Sequence, residues 1–236
     1  MKKLVIFDLD GTLLNTIADL AQSTNHALSV LGYPTHEESA YNFMVGNGIN
    51  KLFERALPEG EKSEENVLRV RKEFIPYYDA HNADKSRPYP GIPELLEQLQ
   101  SLGLQIAVAS NKYQAATQKL IAHYFPKINF VAVFGQREGV NVKPDPTIVD
   151  DILSIAKTDK KECALCRRFR RGYADGNQCR GNVLRSNLGV PPTDRVRGVS
   201  PRLYRRQSGR NLKTDKLTSY DQKMVHANPY LLLYRR

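Results

Sequence analysis

Asp8 and Asp10 stand one residue apart at the end of the apolar run Leu4-Val5-Ile6-Phe7. Two carboxylates at that spacing can divide labour. One attacks a phosphorus or carbon centre while the other delivers a proton to the leaving group. Two anions this close repel, so a hard cation such as Mg2+, which takes oxygen ligands, is expected to hold them. Gly11 lets the backbone turn sharply and present amide N–H groups to an anion. Farther along, Ser110-Asn111-Lys112 ends a second apolar run, Ile106-Ala107-Val108-Ala109, and Lys143 follows a third, Phe130 to Phe134. Ser110 and Lys143 can donate to phosphate oxygens, and the lysine charge offsets charge in a phosphoryl-transfer transition state.

Each polar cluster has a blander reading when taken alone. Ser110 would be an ordinary strand-end residue and Lys143 a solvated lysine. Asp8-Leu9-Asp10-Gly11 could open a calcium loop. However, the apolar run before it, with Leu9, Leu13 and Leu14 around it, is wrong for an EF-hand, which needs acidic ligands at alternate positions. The value of the clusters lies in their order, each after a buried strand.

The elements that must position these groups follow from periodicity. Continuous apolar runs of four or five residues are the pattern of strands buried on both faces of a parallel sheet. Ile17, Leu20, Ala21, Ala27, Leu28 and Leu31 recur at helical spacing. Residues 49–57 and 64–79 also read as helix, and Thr35 with Glu38 as a capping box. Ile92, Leu95, Leu96, Leu99 and Leu102 give an amphipathic helix after the Pro88, Pro90, Gly91, Pro93 cluster. Residues 113–124 continue as helix, and another starts with Asp145 at its N-cap and Pro146 in its first turn. Strands alternating with helices imply an α/β fold, a doubly wound parallel sheet. In such a sheet the ligand lies beyond the carboxyl ends of the strands. The stretch 15–81 is nearly all helix and reads as an inserted cap. The core is then 1–14 with 82–162.

Composition splits the 236-residue chain at Cys163. Residues 1–162 carry 18 Lys+Arg against 21 Asp+Glu, and residues 163–236 carry 17 against 4 with no Glu. The whole net charge of +10 therefore comes from the tail. All three cysteines (Cys163, Cys166, Cys179) lie there too, so no disulfide framework is expected before it. No apolar run approaches the roughly 18 residues of a membrane span, and the N-terminus lacks a signal-peptide pattern. The expectation is a soluble, cytoplasmic protein with no membrane partner.

Residues 1 to about 160 resemble the haloacid dehalogenase superfamily. Phe7-Asp8-Leu9-Asp10-Gly11-Thr12-Leu13 is similar to its first motif, Ser110-Asn111-Lys112 to its second and Lys143-Pro144-Asp145-Pro146 to its third. The resemblance implies that Asp8 is a nucleophile forming an aspartyl-phosphate and Asp10 the general acid/base. Mg2+ would be bound at Asp8 and Asp10. Thr12, Ser110, Asn111 and Lys143 would hold the phosphoryl group. The helical cap and the run Asp10 to Thr16 resemble the phosphoglycolate phosphatase branch. Gly46-Asn47-Gly48 would then lie on the cap face that closes over a small phosphorylated metabolite. A sugar-phosphate phosphatase or phosphomutase of the same superfamily is the rival reading. The substrate and the oligomeric state stay open.

The pattern breaks at the fourth motif, an acidic pair that completes the Mg2+ site. No Asp or Glu stands between Glu162 and Asp175. A reading-frame shift accounts for this. Read one base later, the codons of residues 163–172 permit Val-Leu-Tyr-Val-Gly-Asp and a second Asp four residues on, over the codons of Arg168 and Gly172. Family-like sequence is permitted as far as residue 196, and a stop near Leu217. The C-terminal third is thus not expected to complete the fold, and the chain as it stands is expected to be inactive. Two other readings of the tail are weaker. Zinc ligation by the cysteines lacks a fourth ligand at finger spacing. A nucleic-acid-binding arm on a non-catalytic core needs only the tail's charge, which binds nonspecifically by counterion release, so no specific nucleic-acid partner is expected.

Overall fold

In a computed structural model of the protein, residues 2–168 and 182–186 are described. The central sheet follows from the apolar runs. Strand β1 (Leu4–Phe7) is fully buried. It lies between β4 (Gln105–Tyr113) and β6 (Cys163–Arg168), parallel to both. Strand β5 (Phe130–Gln136) flanks β4 and β7 (Asn182–Ser186) flanks β6, giving the all-parallel order β5-β4-β1-β6-β7.

Successive residues of β1 face opposite sides, as the strand period of two requires. Val5 and Phe7 pack with helix α5 (Ile92–Ser101) and helix α6 (Gln114–Tyr124). Leu4 and Ile6 pack with helix α7 (Thr147–Ala156) on the other face. The sheet is therefore doubly wound, as its sequence pattern implies.

Strand β6 lies within the stretch where composition changes. Cys163 and Ala164 pair with Leu4 and Val5, and Leu165 and Cys166 with Ile6 and Phe7. Cys-Ala-Leu-Cys is apolar enough to sit beside β1, and Cys163, Ala164 and Cys166 are buried. The arginines begin at Arg167, one residue past the last pairing with β1, where the strand is still paired with β7.

A short antiparallel pair, β2 (Leu14–Asn15) with β3 (Arg87–Pro88), brackets the helical insertion. Between them run α1 (Ile17–Val30), α2 (Tyr41–Met44), α3 (Ile49–Ala56) and α4 (Glu64–His81). These helices have a core of their own, in which Phe74 packs on both Phe53 and Tyr78 with ring centroids 5.0 Å apart. Asp19 of α1 fixes the insertion to its exit strand. Its buried carboxylate accepts from the N–H groups of Lys85 and Ser86 at 2.9 and 2.8 Å.

Two local expectations differ. Thr35 and Glu38 form no capping box; Glu38–Ala40 is a 3-10 turn entered from Glu37. Helix α7 begins at Thr147 with Pro146 at the N-cap, one residue later than its sequence suggests. Asp145 still contributes, its Oδ1 accepting from the Thr147 N–H at 2.9 Å.

Candidate active site

The carboxyl edge of the sheet gathers the residues singled out in sequence. Asp8 is the first residue past β1, and its N–H donates to the Cys166 carbonyl at 2.9 Å, so the two strands leave the sheet together. Asp8 Oδ1 accepts from the Leu9 N–H at 2.8 Å and from Lys143 Nζ at 2.9 Å. Both bonds fall on the same oxygen, which leaves Oδ2 for attack. The lysine reaches in from the loop between β5 and α7 and also donates to the Ala109 carbonyl at 2.6 Å. Lysine and aspartate side chains are only 12% and 18% exposed, so the pair is little screened.

Asp10 follows one residue on, and Gly11 turns the chain with a positive φ of 74°. Asp10 Oδ1 accepts from Thr16 Oγ1 at 2.7 Å. Thr16 is the N-cap of α1 but makes no side-chain cap; its hydroxyl serves Asp10 instead. Lys112 Nζ lies 3.3 Å from the same oxygen.

The three residues at the end of β4 also hold the helical insertion. Asn111 Nδ2 donates to the Gly46 carbonyl at 3.2 Å, and Lys112 Nζ to the Tyr78 hydroxyl at 2.8 Å. Tyr113 donates its hydroxyl to Asp79 Oδ1 at 2.5 Å. Asn111 also braces Lys143, accepting from its N–H at 2.8 Å and donating to its carbonyl at 3.1 Å. Its amide is thus bonded to backbone rather than turned to a ligand. Gly48 lies against the core, where a Cβ would meet Gln136 Oε1 at 3.3 Å.

Two spaces flank the aspartates. A cleft of about 410 Å³ is lined by Asp8, Asp10, Gly11, Asn15 and Thr16 from the core side, and by Glu38, Asn42, Gly46, Asn47 and Arg55 from the insertion. Arg167 also lines it. A second chamber of about 40 Å³ is bordered by Asp8, Asp10, Ser110, Asn111 and Lys112 together with Gly46 and Gly48. Ser110 therefore touches the smaller space. Thr12 is buried and lines neither.

Sequence reasoning missed Lys112, Arg55 and Arg167. Lys112 was visible as part of Ser110-Asn111-Lys112, but its burial depends on Tyr78, 34 residues away. Arg55 joins the site through the insertion, where Nη1 and Nη2 donate to the Met44 carbonyl and Asn47 Oδ1. No sequence signal distinguished it from a surface arginine.

The motif resemblance implies Mg2+, which demands near-octahedral oxygen ligation. The described residues do not fit that ion. Among them no group of three or more His, Cys, Asp or Glu could hold a metal. Lysines engage both aspartates, and Arg167 brings a further cation to their cleft.

Residues 5–165 match the haloacid dehalogenase-like hydrolase family, and the chain belongs to it. It is 32% identical over 160 residues to a phosphoglycolate phosphatase of Mesorhizobium japonicum, covering 67% of this chain and 70% of that protein. Another, from Psychrobacter arcticus, is 32% identical over 206 residues, covering 85% and 90%. Among solved structures, a Lactobacillus delbrueckii protein named as a phosphoglycolate phosphatase superposes with a TM-score of 0.64. It is 30% identical and is covered over 78% of its length and 70% of this chain. The chain is thus a hydrolase of the phosphatase type. No described helix is long and apolar enough to cross a membrane.

Proposed function

We propose that this chain carries the machinery of a phosphomonoester hydrolase that works through an aspartyl-phosphate. The observation that carries the reading is the Lys143–Asp8 contact of 2.9 Å beside Asp10, both aspartates lining a cleft shared with the helical insertion. Asp8 Oδ2 attacks phosphorus, forming the O–P bond as the ester O–P bond breaks. Lys143 screens charge on the nucleophile and the transferring group. Asp10, held by Thr16 and Lys112, gives its proton to the leaving oxygen. It then takes a proton from the water that hydrolyses the aspartyl-phosphate. The insertion keeps bulk water off that intermediate.

The substrate is a small organic phosphate, with 2-phosphoglycolate first. Its support is the names of relatives about one-third identical, together with a cleft of about 410 Å³ that suits a small ligand. A sugar phosphatase or phosphomutase is the alternative. Comparing kcat/KM across a panel of phosphate esters tests this. A clear preference for hexose phosphates, or phosphoryl transfer to a sugar instead of water, overturns it.

We further propose that residues from about Cys163 onward are read one base out of register and that the chain as it stands turns over poorly. The missing acids support this, as does the Mesorhizobium alignment, which spans about two-thirds of the chain. The Psychrobacter alignment is too long to end at Cys163 and weighs the other way.

A further inference from the structure

The donor set around Asp8 and Asp10 is wrong for a divalent cation and suited to an oxyanion. Each carboxylate already has an ammonium, Lys143 on Asp8 at 2.9 Å and Lys112 on Asp10 at 3.3 Å. Both ammoniums sit on Oδ1 of their carboxylates, so a metal ion would meet a pair whose charge is already offset. Beside them stands Arg167. Because the Asp8 N–H bonds to the Cys166 carbonyl, the next residue of β6 emerges at the same sheet edge as the Asp8 side chain. Arg167, from the sheet, and Arg55, from α3, line one cleft. Asp8, Asp10 and Glu38 line that cleft with the two arginines, while Lys143 and Lys112, outside its lining, offset the charge of Asp8 and Asp10.

We infer that this cleft binds phosphate and small phosphomonoesters directly, without a divalent metal ion, with the Arg167 guanidinium as a partner of the phosphate. The inference rests on the reading that the cleft takes phosphate esters. A guanidinium presents a planar fork of donors that matches two phosphate oxygens. Room also selects this side of the aspartates. The chamber at Ser110, about 40 Å³, holds little more than water, whereas the cleft at Arg167 is about ten times larger. In the chain as it stands, Arg167 thus supplies the positive charge that a metal ion would otherwise bring to the phosphate.

Calorimetric titration of the full chain with inorganic phosphate and with 2-phosphoglycolate, in EDTA and then in Mg2+, tests the inference. The dissociation constants should agree within about twofold between the two conditions. Arg167→Ala should weaken both ligands by roughly tenfold or more, and Arg167→Lys should keep part of the affinity. Arg167→Gln, checked by circular dichroism, replaces the alanine variant if that one unfolds. Binding that appears only with Mg2+ overturns the inference, as does affinity unchanged in both neutral variants. Binding lost in Lys143→Met but untouched at Arg167 overturns the inference alone and leaves the proposed function standing. An unsubstituted chain that binds neither ligand overturns both.

Discussion

Lys112 Nζ stands 3.3 Å from Asp10 Oδ1 and 2.8 Å from the Tyr78 hydroxyl, so one buried ammonium joins the core carboxylate to the helical insertion. It also lies 4.7 Å from the centre of the Tyr78 ring. Lysine side-chain exposure is 2%, so its charge depends on these partners. Tyr78→Phe removes the hydroxyl acceptor and should cost about 1–2 kcal/mol. Lys112→Met should cost about 2 kcal/mol, less than the loss of a fully buried pair because Asp10 retains some solvent. Urea denaturation of the two variants and their combination checks this. Additive losses would show that the two side chains are not coupled.

Alkali should destabilise the fold. Burial, with the Asp8 charge adding to it, pushes the Cys166 thiol up to about 12. Burial likewise raises Tyr41, and raises Tyr78 well above the ordinary tyrosine range, the Asp10 charge adding to the effect. Tyr113 is raised by burial and by its bond to Asp79. In each case the folded state holds the proton that the unfolded chain releases. The stabilisation is complete below the ordinary thiol and phenol range, about pH 8.5–10. It is lost as pH rises from there toward the folded values. The urea midpoint should be unaffected by these groups up to about pH 8 and fall steadily above pH 9. A midpoint that rises between pH 9 and 11 would contradict it.

Most of the sheet was legible because its strands are continuous apolar runs and its helices keep period. The candidates Asp8 and Asp10 stand out in sequence because they follow the buried strand β1, and Lys143 because its loop follows the apolar run of the half-buried β5. What escaped depends on contacts between distant segments. Nothing local to Lys112 announces Tyr78, and nothing local to Asn111 announces that its amide will brace Lys143 and Gly46. Motif likeness alone places Asn111 and Thr12 among the phosphate ligands. The amide of Asn111 meets backbone, and Thr12 lines neither the cleft nor the smaller chamber.

The cysteine pair should bind no zinc. Cys163 packs in the cluster with α7, and Cys166 in the one with α5 and α6, on opposite faces of the sheet. Two such thiols cannot converge on one tetrahedral ion. Cys179 lies outside the described residues. Elemental analysis of protein purified without a nickel column should find well under one zinc per chain. Thiol reagents at pH 8 should label Cys166 only as fast as the fold opens, since its thiolate is scarce and the site is closed. One equivalent of zinc would overturn the assignment.

The chemistry is best tested in a chain whose reading frame has been restored. There Asp8→Asn should abolish turnover, because an amide does not attack phosphorus. Asp10→Asn should cost roughly 100- to 10,000-fold in kcat by removing the proton donor. EDTA should silence the restored enzyme and Mg2+ should revive it. Full activity in EDTA would sink the metal assignment for the family-like site.

The frame itself makes the sharpest prediction. Cys163 to Cys166 pair in register with Leu4 to Phe7, so the chain reaches the sheet edge beside Asp8 correctly aligned. What it delivers there is Arg167 rather than a route to carboxylates. Deleting one base near codon 162 should place an Asp over the Arg168 codon and another over the Gly172 codon. It should also open a frame that ends near codon 217. Expressed side by side, the restored chain should hydrolyse phosphate esters with Mg2+ and resist protease. The present chain should bind phosphate yet release little product. Equal Mg2+-dependent turnover by the two chains would mean that the residues now written after Cys163 complete the site by themselves, and the frame-shift account would be wrong.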